Sequence, residues 1–210
     1  MCHFGQDTLT FKRMGAAAVT GLDLSPRAIL EASKLAARAN LDATFVEADL
    51  YNAPNVIDGQ FDVVFMSYGT IGWLPDINRW AEVVASFLAP GGRFVFAEFH
   101  PALWMLDEQH QLVKYSYFND APIVDEEGTY TDVEEEQPQT MVTWNHGLGE
   151  VISALLDQKL TLTHFDEYDY SPYAIFGDRG VEMAPGQWGV KGSERKLPLV
   201  FSLVCERHVA

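Results

Sequence analysis

Two hydrophobic periods alternate along the first half of the chain. Continuous apolar runs, bounded by polar or Gly/Pro residues, predict buried strands at 16–23, 43–49, 61–69 and 93–99. Between them, apolar residues recur at helical spacing after Ser25 and after Asp76, and both residue types favour the N-cap of a helix. Buried strands that alternate with amphipathic helices predict an α/β fold, a parallel sheet with helices on both faces.

The pattern loses this regularity after residue 100. The segments "KYSYFND" and "TMVTWN" predict two strands that pair across an acidic stretch, 124–137, within an inserted flap at about 101–146. Further on, the pattern predicts a helix at 147–158, strands at 160–170 and 197–207, and a long Gly/Pro-bearing connection at 171–196. No linker is evident, so we expect one domain over residues 1–210.

Composition narrows the classes of partner. The formal net charge of -16 disfavours binding to nucleic acid or to an anionic membrane surface. The two cysteines, Cys2 and Cys205, stand at opposite ends of the chain and predict neither a disulfide scaffold nor a metal site. No apolar run reaches about 18 residues and no signal-peptide pattern opens the chain, so we expect a cytoplasmic protein.

Polar or glycine residues follow successive predicted strands, where open parallel sheets bind ligands. Gly5 lies in the turn "CHFGQD", Asp23 follows 18 residues later, and Asp49 ends the next strand. A glycine there lets backbone amides approach a ligand, and an acid about 20 residues on suits a ribose diol. Taken singly, the three also fit a tight turn, a helix cap and a solvated loop acid. Their order on consecutive strand ends favours a nucleoside site.

That order, together with "FDVVFMSYG" and "LAPGGRFVFAEF", resembles the class I S-adenosylmethionine-dependent methyltransferases. The resemblance covers residues 2–100 well and 147–207 in outline. It implies a Rossmann-like sheet in the order 3-2-1-4-5-7-6, with the last strand antiparallel, and S-adenosylmethionine as cofactor. The cofactor-binding residues that it implies are His3, Phe4, Gly5, Asp23, Leu24, Asp49, Leu50, Ser67 and Tyr68.

Two departures from the family pattern stand out. The family's loop usually has the form G-x-G-x-G, whereas His3 occupies a place where glycine is common. His3 is therefore either a hydrogen-bonding partner of the cofactor or a packing residue. Second, only four residues precede Gly5, so the first, central strand and the N-terminal helices of the family are missing. We expect an N-terminally truncated methyltransferase, or a rearranged sheet in which the flanking strands close together.

The acceptor site is less well defined by the sequence. His100 follows the strand at 93–99 and is the candidate general base, although it also fits a side chain that caps a turn. Glu98 either orients His100 or serves as a structural acid. Trp104, Tyr168 and Tyr170, with Tyr173, are candidates for the substrate pocket or for simple packing. Phe4, Tyr68 and Trp73 are candidates for cation–π contact with a sulfonium, or for packing in the core or the pocket wall.

The predicted function is methyl transfer to a small-molecule acceptor by in-line displacement. Two alternatives remain at this point: a non-catalytic binding protein that keeps the shell of the fold, and a nicotinamide-dependent oxidoreductase. The lone glycine and "PGGRFVFAEF" disfavour the oxidoreductase. The identity of the acceptor and the oligomeric state do not follow from the sequence.

Overall fold

The computed structural model describes residues 1–107, 109–125 and 140–209. The predicted acidic loop at 124–137 falls almost wholly outside these residues. Four α-helices lie within them: α1 (Gln6–Arg13), α2 (Pro26–Ala39), α3 (Ile77–Phe87) and α4 (Leu148–Asp157). The predicted caps are confirmed, because the Ser25 hydroxyl accepts from Ala28 N–H and the Asp76 carboxylate accepts from Arg79 N–H.

Ten strands accompany these helices in the described residues. They are β1 (Thr20–Asp23), β2 (Thr44–Glu47), β3 (Phe61–Met66), β4 (Leu88–Phe99), β5 (Ile123–Asp125), β6 (Met141–Thr143), β7 (Leu160–Tyr168), β8 (Gly180–Ala184), β9 (Gln187–Val190) and β10 (Val200–Arg207). The first four predicted strands are present, with shorter bounds for the first three. The fourth begins earlier than predicted and includes "APGG".

The main sheet has the order β3-β4-β10-β7, with β3 parallel to β4 and β10 antiparallel to both of its neighbours. β1 and β2 form a separate parallel pair. These arrangements match the 4-5-7-6 and 3-2 portions of the expected order, and the antiparallel last strand is confirmed. The α/β fold class is confirmed.

Helix α1 and the residues before it join the two sheets. β1 and β3 do not pair with each other in the described part of the chain, so the sheet rearranged by their closure is not observed. Instead, Cys2 N–H donates to Leu22 O of β1, and the ring of Phe11 in α1 lies 5.0 Å from the ring of Phe65 in β3. The carboxyl ends of β1, β2 and β3 are therefore held around one turn and one helix.

A buried aromatic core fixes the main sheet beneath α3 and α4. Trp80 of α3 is fully buried against Phe94 and Phe96 of β4, and Phe201 of β10 packs edge-on against Phe96. Burying such side chains stabilises a fold by about 1.5–3 kcal/mol each. The ends of β3 and β4, and the residues that follow them, are therefore held in place by a well-packed core.

Two predictions about the second half of the chain were wrong. Strand β6 pairs with β5 and not with "KYSYFND", and the connection at 171–196 contains the hairpin of β8 and β9. No helix among the described residues has the length and apolar character needed to cross a membrane.

Candidate functional site

The turn at residues 2–5 packs against β2 through Gly5. Gly5 N–H donates to Cys2 O at 2.8 Å, and Gly5 and His3 both have positive φ, 72° and 47°. A Cβ on Gly5 would lie 2.6 Å from the Phe45 ring and 2.9 Å from the Ala32 Cβ. Glycine is therefore needed both for the conformation of the backbone and for its close approach to Phe45.

Asp23 ties this turn to the end of β1. Its Oδ2 accepts from His3 N–H at 2.8 Å, and its Oδ1 accepts from Ser25 N–H at 3.0 Å. A carboxylate has about four lone-pair sites, so each oxygen keeps capacity for a further donor such as a ribose hydroxyl. The structure thus brings His3 and Asp23 together, as the sequence predicted for one site.

Asp49 lies beside Asp23 at the same edge of the sheet. Asp23 pairs with Glu47 in the parallel register, and Ala48 N–H donates to Asp23 O at 3.0 Å. The Asp49 Oδ1 accepts from Tyr51 N–H at 2.7 Å and caps the 3₁₀ turn Leu50–Asn55. The two predicted neighbours of these acids differ: Leu24 is exposed, whereas Leu50 packs partly buried against the core.

Asp7 connects α1 to the exit of β3. The Ser67 hydroxyl donates to Asp7 Oδ2 at 3.0 Å, across 60 residues of sequence. This brings the predicted residue Ser67 next to the turn that holds Gly5. Sequence reasoning missed Asp7, for which the available signal was an acid in the first turn of a helix.

Glu98 accepts five hydrogen bonds, four of them from the loop after β3. Its Oε1 accepts from the backbone N–H groups of Gly69 and Phe99, and its Oε2 accepts from Thr70 N–H at 2.7 Å, the Thr70 hydroxyl at 3.0 Å and Ile71 N–H at 3.3 Å. The side chain is 2% exposed, and both of its oxygens accept from donors. Glu98 therefore fixes the loop that carries the predicted site residues.

The predicted substrate residues lie in the same part of the fold as Tyr68. The Tyr68 ring lies 5.3 Å from the Phe99 ring, and Trp104 packs edge-on against Phe99 at 5.7 Å. Tyr168 and Tyr170 have ring centroids 5.6 Å apart. Burial raises the pKa of Tyr68, and Tyr173, Tyr170, Tyr168 and Glu98 raise it further. A set of aromatic side chains thus meets at the exits of β3, β4 and β7.

His100 is buried and uses both ring nitrogens. Ala102 N–H donates to Nδ1 at 3.0 Å, so Nε2 carries the proton and donates to Glu167 Oε1 at 2.9 Å. Burial lowers the pKa of His100, while Glu167 acts in the opposite direction. Among the described residues, Glu98 makes no hydrogen bond to His100. This favours the alternative that Glu98 is a structural acid and does not orient His100.

We expect the protein to lose stability as the pH falls below about 6.5, the ordinary pKa of histidine. Burial lowers the pKa of both His100 and His110 in the folded state, so the unfolded chain binds protons more readily. The contribution of the two neutral histidines to stability is complete above their pKa in the unfolded chain. It is lost as the pH falls through their lower pKa in the folded protein. Urea unfolding at pH 7.5 and 5.5 measures this difference.

His100→Gln separates the contribution of His100, since glutamine does not titrate. We expect the variant to lose less stability than the parent between the two pH values. An equal loss in both proteins contradicts the assignment of this pH dependence to His100. His164→Gln, at an exposed histidine on β7, is the control and is expected to keep the parent's pH dependence.

Comparisons with known proteins find similarity to methyltransferases. Residues 1–92 match the family model described as "Methyltransferase domain". A segment of 90 residues, 43% of the chain, is 34% identical to demethylmenaquinone methyltransferase of Thermus thermophilus and covers 40% of that protein. A segment of 114 residues, 54% of the chain, is 35% identical to trans-aconitate 2-methyltransferase of Escherichia coli O1:K1 / APEC and covers 41% of it. The chain thus spans about two fifths of the length of these curated relatives.

A solved structure has the same α/β fold as this chain. The crystal structure of a SAM-dependent methyltransferase from Methanosarcina mazei superposes on 100% of the chain with a TM-score of 0.65, at 17% identity and over 90% of that protein. At this level of identity the likeness shows the fold alone. It agrees with the α/β arrangement of strands and helices described above.

Proposed function

We propose that this chain belongs to the class I S-adenosylmethionine-dependent methyltransferases, binds S-adenosylmethionine and transfers its methyl group to a small-molecule acceptor. One observation carries the proposal: the turn at residues 2–5, Asp23 and Asp49 converge at the carboxyl edge of β1 and β2. The His3–Asp23 hydrogen bond of 2.8 Å joins the turn to that edge.

The donors and acceptors at this edge fit the cofactor. The Asp23 carboxylate has lone pairs free for the two ribose hydroxyls. Asp49 Oδ2 accepts no hydrogen bond from the described residues and suits the adenine amino group. The first N–H groups of α1 follow Gly5 and suit the polar methionine portion. The acids Asp7 and Asp23 also favour a cation over an anion.

When bound, the cofactor supplies an electrophilic methyl group on a sulfonium; the protein's share is alignment and exclusion of water. Asp7 holds Ser67, and Glu98 holds the backbone from Gly69 to Ile71. Both contacts restrict the segment after β3, beside which we place the reacting groups. Preorganisation of this segment lowers the entropy lost when the cofactor and the acceptor come together.

A small acceptor agrees with the charge of the chain and with the relatives. The net charge of -16 disfavours a polyanionic substrate such as nucleic acid. The curated relatives are named for demethylmenaquinone and for trans-aconitate, two different small molecules. A proton-accepting role for His100 stays a prediction, and it requires that Nδ1 is released from Ala102 N–H. The cytoplasmic location also stays a prediction.

Isothermal titration with S-adenosylhomocysteine, the product of the cofactor, tests the proposal. We expect one binding site per chain. Asp23→Asn keeps the shape of the side chain but removes its charge, and hydrogen bonds to a charged group contribute about 1.5–3 kcal/mol. The dissociation constant is therefore expected to rise by roughly tenfold to a hundredfold.

Asp42→Asn is the matched control. Asp42 is an exposed acid before the amino end of β2, away from the edge that holds Asp23. This variant is expected to bind S-adenosylhomocysteine as the parent does. The proposal fails if the parent binds neither S-adenosylhomocysteine nor S-adenosylmethionine, or if the two variants weaken binding equally.

A further inference from the structure

Four aromatic side chains form a continuous surface beside the exit of β3. We call Tyr68, Phe99, Trp104 and Tyr173 the aromatic surface. The Tyr68 ring lies at its centre, 5.3 Å from the rings of both Phe99 and Tyr173, and Trp104 extends it through Phe99 at 5.7 Å. These rings come from three separate parts of the chain, the segments that follow β3, β4 and β7. The fold itself brings them together.

The aromatic surface has a buried floor and exposed walls. Phe99 is 8% exposed, whereas Trp104 is 38% and Tyr173 is 52% exposed. The neighbouring contacts of Tyr68 are tilted or edge-on rather than stacked, at 48° and 82°. Ring faces that stay in contact with water gain energy when another ring covers them, by hydrophobic burial and by aromatic contact. An aromatic ligand therefore gains energy by contact with the exposed parts of this surface.

The charge beside the aromatic surface is negative. The Asp7 carboxylate accepts from the Ser67 hydroxyl next to Tyr68, and its charge, together with burial, raises the pKa of Tyr173. The buried carboxylate of Glu98 likewise raises the pKa of Tyr68. The tyrosine hydroxyls thus remain neutral hydrogen-bond donors at neutral pH. An anionic ligand would be repelled by both carboxylates, while an uncharged ligand would not.

The aromatic surface also adjoins the candidate cofactor site. Ser67, bonded to α1 through Asp7, directly precedes Tyr68 in the chain. A ligand on Tyr68 would therefore lie next to the segment to which the proposed function assigns the reacting groups.

We propose that the aromatic surface binds the methyl acceptor, and that the acceptor is an uncharged compound with a flat ring in preference to a carboxylate. The inference rests on the proposed function, since it names the substrate class of the same site. In this proposal the rings of Tyr68 and Tyr173 contact the ring of the acceptor, and the Asp7 carboxylate repels anionic compounds.

Titration with 2-naphthol and 2-naphthoate tests the inference, because the two probes share a fused ring and differ in charge at pH 7. The full chain is first saturated with S-adenosylhomocysteine, and each probe is then titrated by calorimetry. We expect 2-naphthol to bind roughly tenfold more tightly than 2-naphthoate. Equal or tighter binding of 2-naphthoate, or binding of neither probe, overturns the inference.

Three variants test which residues bind 2-naphthol and which produce the preference for it over 2-naphthoate. Tyr173→Leu is expected to weaken 2-naphthol binding roughly fivefold while the affinity for S-adenosylhomocysteine stays within about twofold. Asp7→Asn keeps the Ser67 hydrogen bond and is expected to narrow the preference for 2-naphthol about threefold or more. Phe61→Leu, in a ring pair at the amino end of β3, is the control and should change neither affinity.

Different results would contradict the proposed function and the inference about the acceptor. If S-adenosylhomocysteine binds but Tyr173→Leu leaves 2-naphthol binding unchanged, the inference is wrong and the proposed function stands. If S-adenosylhomocysteine does not bind at all, the proposed function is wrong and the substrate assignment falls with it.

Discussion

Glu98→Gln is expected to lower the free energy of unfolding by about 2–6 kcal/mol, since in either orientation of the amide two buried backbone N–H donors lose their acceptor, at about 1–3 kcal/mol each. In the parent, Oε2 accepts from two backbone N–H groups and from the Thr70 hydroxyl. Glutamine replaces one carboxylate oxygen by an NH2 group, which donates and cannot accept. Whichever way the amide turns, donors then face donors in a site that is 2% exposed.

Urea unfolding of Glu98→Gln and Glu82→Gln measures this effect. Glu82 is exposed on α3, so its substitution is expected to change the stability by less than about 0.5 kcal/mol. If Glu98→Gln folds, we also expect weaker binding of S-adenosylhomocysteine, because the loop after β3 is no longer fixed. Equal stability of the two variants would show that Glu98 is not the anchor of this loop.

Gly5→Ala has the second large expected effect, a loss of about 3 kcal/mol of stability. About 1–2 kcal/mol comes from placing a side chain at φ 72°. A further 1–3 kcal/mol, roughly, comes from overpacking, because the new Cβ lies 2.6 Å from the Phe45 ring. The turn must move away from β2, and α1 with it.

Gly186→Ala isolates the steric part of this effect. Gly186 lies in the turn between β8 and β9 with the same φ of 72°, and a Cβ there meets nothing within 4 Å. We expect this variant to lose only the conformational part, about 1–2 kcal/mol. The difference between the two variants, measured by thermal or urea unfolding, reports the contact with Phe45. No difference would contradict the described packing of the turn on β2.

Periodicity and capping predicted most of the elements because those signals are local. Ser25 and Asp76 each accept from a backbone N–H three residues ahead, so the bonding partners lie within one helical turn. The apolar runs at 61–69 and 93–99 correspond to β3 and β4, which pair in parallel in the main sheet. The hairpin of β8 and β9 was missed because its strands are short, although Pro185-Gly186 is a turn signal.

The candidate site was predictable only at the level of strand ends. Gly5, Asp23 and Asp49 follow a linear pattern, and the structure brings them to one edge. The contacts that fix the site are long-range: Ser67 bonds to Asp7 across 60 residues, and Glu98 reaches Thr70 across 28. A sequence pattern does not determine which buried acid meets which loop. For the same reason, the meeting of Tyr68 with Tyr173 follows from the fold and not from spacing.

A crystal structure of this chain grown with S-adenosylhomocysteine tests the central claim most directly. We expect the ligand between the turn at residues 2–5 and the carboxyl ends of β1 and β2. Its ribose hydroxyls should lie within hydrogen-bonding distance of the Asp23 carboxylate, with the adenine beside Asp49. A ligand bound elsewhere, or one that leaves Asp23 without contact, would contradict the account.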